Sequence, residues 1–156
     1  MTAIVPYRLV RQEAARPQRW VRSGARLPVM LTRDTGDEVT ISSLPSRVGL
    51  GLYQGDDFYL TLYVTDSTGA PADLSRLDAQ SQIRVSHASP ISAVFDTRII
   101  SPLVYLHLPH AQASLLAPGR AVWDAQVSEE DELDPAVARV TTLCAGAVQV
   151  DPEVTR

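Results

Sequence analysis

The chain has 156 residues, 45% of them apolar, which is enough for one domain with a real core and too apolar for global disorder. No apolar run approaches the roughly 18 residues of a membrane-spanning helix. Arg8, Arg11, Arg16 and Arg19 follow the opening residues with no apolar stretch between, so no signal peptide is predicted. The net charge of −4 conceals an asymmetry. Residues 1–26 carry six arginines against one acid, or +5, while the remainder carries eight arginines against 17 acids, or −9. A basic segment on an acidic body needs a physical reason.

Residues 1–30 show neither strand alternation nor a sustained helical period, because Pro6, Pro17, Gly24 and Pro28 interrupt every window. They are predicted to form an extended arm, with one short helical turn near residues 10–15. From residue 37 the pattern changes to short strands between turn signals. A first strand is expected at 38–42 and a second at 47–53. The clearest lies at 57–65, where Phe58, Leu60, Leu62 and Val64 alternate with Tyr59, Thr61 and Tyr63. Asp66-Ser67-Thr68-Gly69 then reads as a turn, glycine being free to take positive φ.

Residues 77–85 alternate again. The stretches 91–100 and 103–108 read as two further strands around Ser101-Pro102. A short helix is expected at 109–116, ended by Pro118-Gly119. A strand at 120–127 points Trp123 inward, an acidic loop spans 128–135, and residues 137–150 close the domain as one long or broken strand with a bulge at Gly146. Seven to nine strands at this spacing predict an all-β fold, an immunoglobulin-like antiparallel sandwich over residues 37–156.

Chemistry is sparse. No nucleophile elbow, zinc-protease helix, phosphate-cradling glycine loop or paired-cysteine motif occurs. The single cysteine, Cys144, lies in an apolar stretch and is expected in the core. Asp56-Asp57 should point to opposite faces of a strand entry, which suits a solvated turn better than an acid/base pair. His107 and His110 flank Pro109 with no evident third ligand, so no metal is expected. The acidic run 129–134 lacks the spacing and the glycine of a calcium loop. No cofactor and no catalytic residue are predicted, and the chain is expected not to be an enzyme.

Trp20 differs from Trp123. It stands between Arg19 and Arg22 on the arm, a composition typical of interface anchors. Docking to a neighbouring protein subunit through Arg8, Arg11, Arg16, Arg19, Trp20, Arg22 and Arg26 therefore outweighs a solvated tail. It also outweighs nucleic-acid binding, which the −9 body opposes. Tyr59, Tyr63 and Tyr105 would line one sheet if the domain instead bound glycans.

Several segments in order resemble the LtfC-like, or lower-tail-fibre-like, β-sandwich domain of tailed actinobacteriophages. They are Gly55-Asp56-Asp57-Phe58, then Asp66-Ser67-Thr68-Gly69-Ala70-Pro71-Ala72-Asp73-Leu74-Ser75, then Gln82-Ile83-Arg84. They continue with Leu116-Ala117-Pro118-Gly119-Arg120-Ala121-Val122-Trp123-Asp124, Thr142-Leu143-Cys144-Ala145-Gly146-Ala147-Val148-Gln149-Val150 and Val154-Thr155-Arg156. The similarity covers residues 37–156. It departs from Ser86 to Val94, where the family usually has a glycine-containing hairpin and this chain has Ser86-His87-Ala88-Ser89-Pro90. The resemblance implies a non-enzymatic virion protein, a minor tail or tail-tip component. It would be made in the host cytoplasm and assembled in several copies with other phage structural proteins. A capsid decoration protein and a carbohydrate-binding module that assists host adsorption are the alternatives.

Overall fold

A computed structural model describes residues 19–31, 46–130 and 138–153. Ten strands and one helical turn run in the order β1 (Arg19–Val21), β2 (Ala25–Met30), β3 (Ser46–Tyr53), β4 (Phe58–Thr65), β5 (Asp78–Arg84), β6 (Ile91–Val94), β7 (Asp96–Ile100), β8 (Leu103–Leu108), α1 (His110–Ala113), β9 (Gly119–Glu130) and β10 (Ala138–Asp151). They form two sheets, one of six strands in the order β1-β3-β10-β9-β5-β6 and one of four in the order β2-β4-β8-β7. The fold is an all-β sandwich.

Period-two patterning builds the interior. On β4, Phe58, Leu60, Leu62 and Val64 are buried while the residues between them reach the surface. β8 answers with Val104, Leu106 and Leu108, and the six-stranded sheet contributes Leu50, Ile83, Trp123, Ala125, Val148 and Val150. Trp123 takes the expected inward position. Its indole N–H donates to the Val48 carbonyl at 2.7 Å, which ties β9 to β3 across the intervening β10. Cys144 is fully buried, and burial pushes its thiol pKa well up.

Asp66 shapes the exit from β4. Its carboxylate accepts the Thr68 hydroxyl at 2.6 Å and the N–H groups of Thr68 and Ala70 at 2.9 and 3.1 Å. The Thr68 hydroxyl is the main reason its carboxyl sits below the usual range. Gly69 supplies the positive φ of 86° that the turn requires.

Three features differ from the sequence expectation. The eight strands β3–β10 match the seven to nine expected from residue 37 onward, but β1 and β2 add two more from the segment read as an arm. The pairing is not antiparallel throughout: β3 pairs parallel with both β1 and β10, and β2 pairs parallel with β4. The reason is that β3 and β4, neighbours in sequence, lie in opposite sheets, so β3 packs beside the last strand instead of its own hairpin partner. Finally, the irregularity in β10 falls between Thr142 and Cys144, while Gly146 pairs regularly with Trp123. The strand expected at 38–42, the helical turn at 10–15, residues 131–135 of the acidic loop and the closing Val154-Thr155-Arg156 lie outside the described residues.

The sides of the sandwich are closed by strands that change sheets. β1 forms one edge of the six-stranded sheet, and after Arg22-Ser23-Gly24 the chain continues as β2, the edge of the four-stranded sheet. On the opposite side β6 and β7 do the same around Phe95. Phe95 is buried, donates its N–H to the Ser81 carbonyl, and packs between Phe58 and Trp123 with ring centroids 6.4 and 6.2 Å away. Residues 19–30, expected in the arm, are extended, but they are paired within both sheets and bury Val21, Leu27 and Val29. Pro28 fits because β2 is an edge strand, where a missing N–H costs no ladder bond.

Candidate functional site

The outer face of the four-stranded sheet carries an ordered array. The strand registers set Tyr59, His107 and Asp96 in one row. Arg26, Thr61, Tyr105 and Arg98 form the next, and Pro28, Tyr63, Leu103 and Ile100 the third. Tyr59 and His107 stack with ring centroids 4.4 Å apart and planes within 1° of parallel. Gly24 stands beside Tyr59 on the other flank, donating its N–H to the Tyr59 carbonyl at 2.8 Å. The phenol is half exposed.

His107 is held by carboxylates. Its Nε2 lies 2.8 Å from Asp57 Oδ1, and its Nδ1 lies 4.0 Å from Asp96 Oδ2. Asp57 also accepts the His110 N–H at 3.2 Å. The hydrogen bond from His107 is the largest reason the Asp57 carboxyl titrates below its ordinary value. An ionised Asp57 can only accept, so the proton of that bond resides on Nε2. The result is an imidazole fixed in position and a tyrosine fixed against it. Between these strands lies a trough of about 510 Å³ lined by Tyr59, Thr61, Asp96, Arg98, Tyr105 and His107 among others. Arg26 stands over the Tyr63 ring, 5.4 Å from its centroid.

The six-stranded sheet is arranged differently. Trp20 on β1 sits beside Gly49, and Gly51 follows on the same face of β3. A side chain at Gly51 would meet the Val21 carbonyl and Arg22 at ordinary contact distance, and while Gly49 is buried, Gly51 floors an open strip. Trp20, Arg22, Tyr53, Arg120, Gln149 and Asp151 surround it, enclosing about 510 Å³. The opposite edge of the same sheet is apolar. Val85, Ile91 and Val94, on or beside β6, are exposed, as is Leu115 just after α1. The Val94 N–H on that edge is taken by the Gln112 side chain at 3.0 Å.

The residues singled out in the sequence are thus divided. Arg19, Trp20 and Arg22 belong to β1 and the corner after it, at the edge of the six-stranded sheet. Arg26 lies on β2, over the other sheet. Arg8, Arg11 and Arg16 lie outside the described residues. Tyr59, Tyr63 and Tyr105 do share one solvent face, although Tyr63 is half-buried beneath Arg26. Sequence reasoning missed Asp57, Asp96, Arg98 and His107 as members of this face. Asp57 was expected in a solvated turn, and His107, on the Tyr105 side of its strand, was expected to form a surface or partly packed pair with His110. Among the described residues no three histidine, cysteine, aspartate or glutamate side chains converge as a metal site would require. The signal that was available is the alternation of β4 and β8, which fixes Tyr59 and His107 on outward faces once the two strands pair antiparallel.

No protein-family model matches the chain, and no curated protein matches it. Among solved structures it is similar to the N-terminal domain of phage TP901-1 ORF48, at 8% identity over 81% of this chain and 98% of that one, with a TM-score of 0.46.

Proposed function

We propose that the chain is a non-enzymatic structural subunit of a tailed bacteriophage virion, a minor tail or tail-tip protein that packs in several copies with its neighbours. The observation that carries this reading is the pair of unlike apolar surfaces on opposite edges of one sheet. The β1 edge presents Trp20 between arginines, and the β6 edge presents Val85, Ile91 and Val94. Two different patches on opposite sides are what a head-to-tail contact needs, and such a contact closes into a ring when the rotation permits. Scattered apolar residues need no partner, but a cluster along an edge strand does. Arg8, Arg11 and Arg16 precede β1 in the sequence, and the acidic remainder of a neighbouring copy is their electrostatic complement.

The LtfC-like segments support the virion assignment in a particular way. Those described occupy positions that build the sandwich: the entry to β4, the Asp66 turn, Ile83 in the core, the Trp123 anchor and the buried run of β10. Such a pattern maintains a shape and installs no chemistry. The tail is favoured over the head by the resemblance alone.

Mass spectrometry of heads and tails separated from purified particles tests the reading, with Ile91→Asp as the companion variant. The expected result is the chain in the tail fraction, and its loss from particles when Ile91→Asp puts a charge on the β6 edge. Recovery in heads moves the assignment to capsid decoration. Absence from both fractions, or normal incorporation of the variant, overturns it.

A further inference from the structure

We propose that the outer face of the four-stranded sheet is a binding site for a neutral saccharide, with Tyr59, Tyr105, Asp96 and Arg98 as its contact residues. This inference goes beyond the assembly reading and uses the opposite sheet, so either can fail without the other.

A sugar ring presents two unlike surfaces. Its C–H face packs against aromatic rings, and its hydroxyls need side chains that both donate and accept hydrogen bonds. The trough supplies both within one small area. Tyr59 and Tyr105 are diagonal neighbours across β4 and β8, which sets the two residues about 7–8 Å apart with their Cβ atoms somewhat closer, the scale of a sugar ring. Asp96 accepts, Arg98 donates, and the hydroxyl of Thr61 does either. A mostly apolar concavity with a few convergent polar groups is the usual form of a small-ligand site.

Charge decides which class of saccharide. Asp57 and Asp96 face Arg26 and Arg98 across the same surface, and the formal charges cancel. A phosphorylated or carboxylated glycan would gain from the arginines and lose to the carboxylates. A neutral glycan meets no such conflict. A peptide strand fits less well, because β4 and β8 are the two inner strands of the sheet and their backbone groups are already paired on both sides.

The site is also fixed in advance. Asp57 holds His107, His107 stacks on Tyr59, and the Tyr59 N–H donates to the Ser23 hydroxyl oxygen at 3.0 Å. Side chains immobilised before binding lose less rotamer entropy when the ligand arrives. His107 is therefore a positioning residue, acting through Tyr59.

Calorimetric titration of the full chain tests the assignment. The probes are neutral tetrasaccharides built from glucose, galactose, mannose or arabinose, with a sialylated tetrasaccharide as the acidic control. Saturable binding of at least one neutral probe is expected, with a Kd on the order of 1 mM or tighter. Tyr105→Ala and Arg98→Ala should each weaken it at least about tenfold, a loss well within what one side chain supplies. Trp20→Ala, on the other sheet, should leave it unchanged. Arg98 is exposed on an edge strand, so its variant stays informative even if a tyrosine variant misfolds. No saturable binding by any neutral probe overturns the proposal. So does tighter binding of the acidic control, or binding that survives both Tyr105→Ala and Arg98→Ala.

Discussion

On the four-stranded sheet the exposed tyrosines Tyr59 and Tyr105 lie on the two inner strands, in registered rows that lock one another in place, with Met30 and Ile100 exposed at its edges. On the six-stranded sheet the exposed apolar groups lie mostly towards the two edges, with Val140 on the inner β10 an exception, and the strip beside Trp20 is floored by Gly51. The contrast follows from what each strand places outward. β4 and β8 alternate large aromatic and polar residues against the core, so their outer face is crowded and its side chains have cross-strand partners. The outward positions of β3 are Arg47, Gly49, Gly51 and Tyr53, and glycine gives a neighbour nothing to pack against. A crowded centre can hold a small ligand against fixed groups. Apolar edges can hold another subunit. The difference teaches that one sandwich can divide two kinds of recognition between its sheets without any catalytic group.

The largest effect should come from the core that both faces share. Trp123 fills the space between β9 and Phe95, and its indole N–H satisfies the Val48 carbonyl. Trp123→Ala leaves a cavity and an unpaired carbonyl, so a loss of about 3–5 kcal/mol is expected. Denaturant titration measures it directly. Cys144 offers a second readout: it is fully buried with its thiol pKa pushed well up, so a thiol reagent reaches it only through opening. Labelling should accelerate by roughly a hundredfold or more, the equivalent of that loss. If the variant melts like the parent, the two sheets do not depend on this anchor and the faces are mechanically separate.

The strand pattern was legible wherever one face of a strand is buried and the other wet. Strand β8 was found at its bounds, and β3, β4, β5, β9 and β10 within a few residues, because alternation records burial directly. What alternation cannot record is a change of sheet. Residues 91–100 read as one strand and are two, since Phe95 continues the period while the chain turns from one sheet to the other. The same blindness hid β1 and β2. Gly24 and Pro28 look like interruptions in a sequence, yet one is the corner between the sheets, with φ of 90°, and the other lies on an edge where its ring is harmless. Removing residues 1–26 would thus take away β1 and the buried Val21, and not merely an arm. The candidate site was legible in its tyrosines. Its carboxylates and imidazole were not, because Asp57 meets His107 only through the pairing of β4 with β8, at a sequence distance of 50 residues.

A subtler test concerns the locked row itself. The Asp57 carboxyl is depressed below its ordinary value, chiefly by the hydrogen bond from His107. A depressed folded value means that the ionised carboxylate stabilises the fold above the usual aspartate range and that this contribution is lost as pH falls through the folded value. Asp57→Asn should therefore melt below the parent at neutral pH, with the gap closing on acidification. Asp66 is depressed as well, by its own turn, so both proteins retain a common acid sensitivity. A gap independent of pH would mean that the Asp57–His107 contact does not order this face through charge.

The smallest effect bears on Arg26, which belongs by sequence to the basic segment and by structure to the four-stranded face. Its guanidinium lies 5.4 Å from the Tyr63 ring centroid, and an exposed contact of this kind contributes about 0.5–1 kcal/mol. Neither single variant isolates that energy, since Arg26→Ala also removes a charge and Tyr63→Leu also removes packing. The double-mutant cycle does, because both side effects cancel when the two residues interact only with each other. A coupling in that range makes Arg26 part of the sheet and leaves the partner-docking charge to the residues before it. A coupling near zero returns Arg26 to the docking set and strips the four-stranded face of one of the two cations that balance Asp57 and Asp96, so the preference for neutral over acidic saccharides should then strengthen in the same protein.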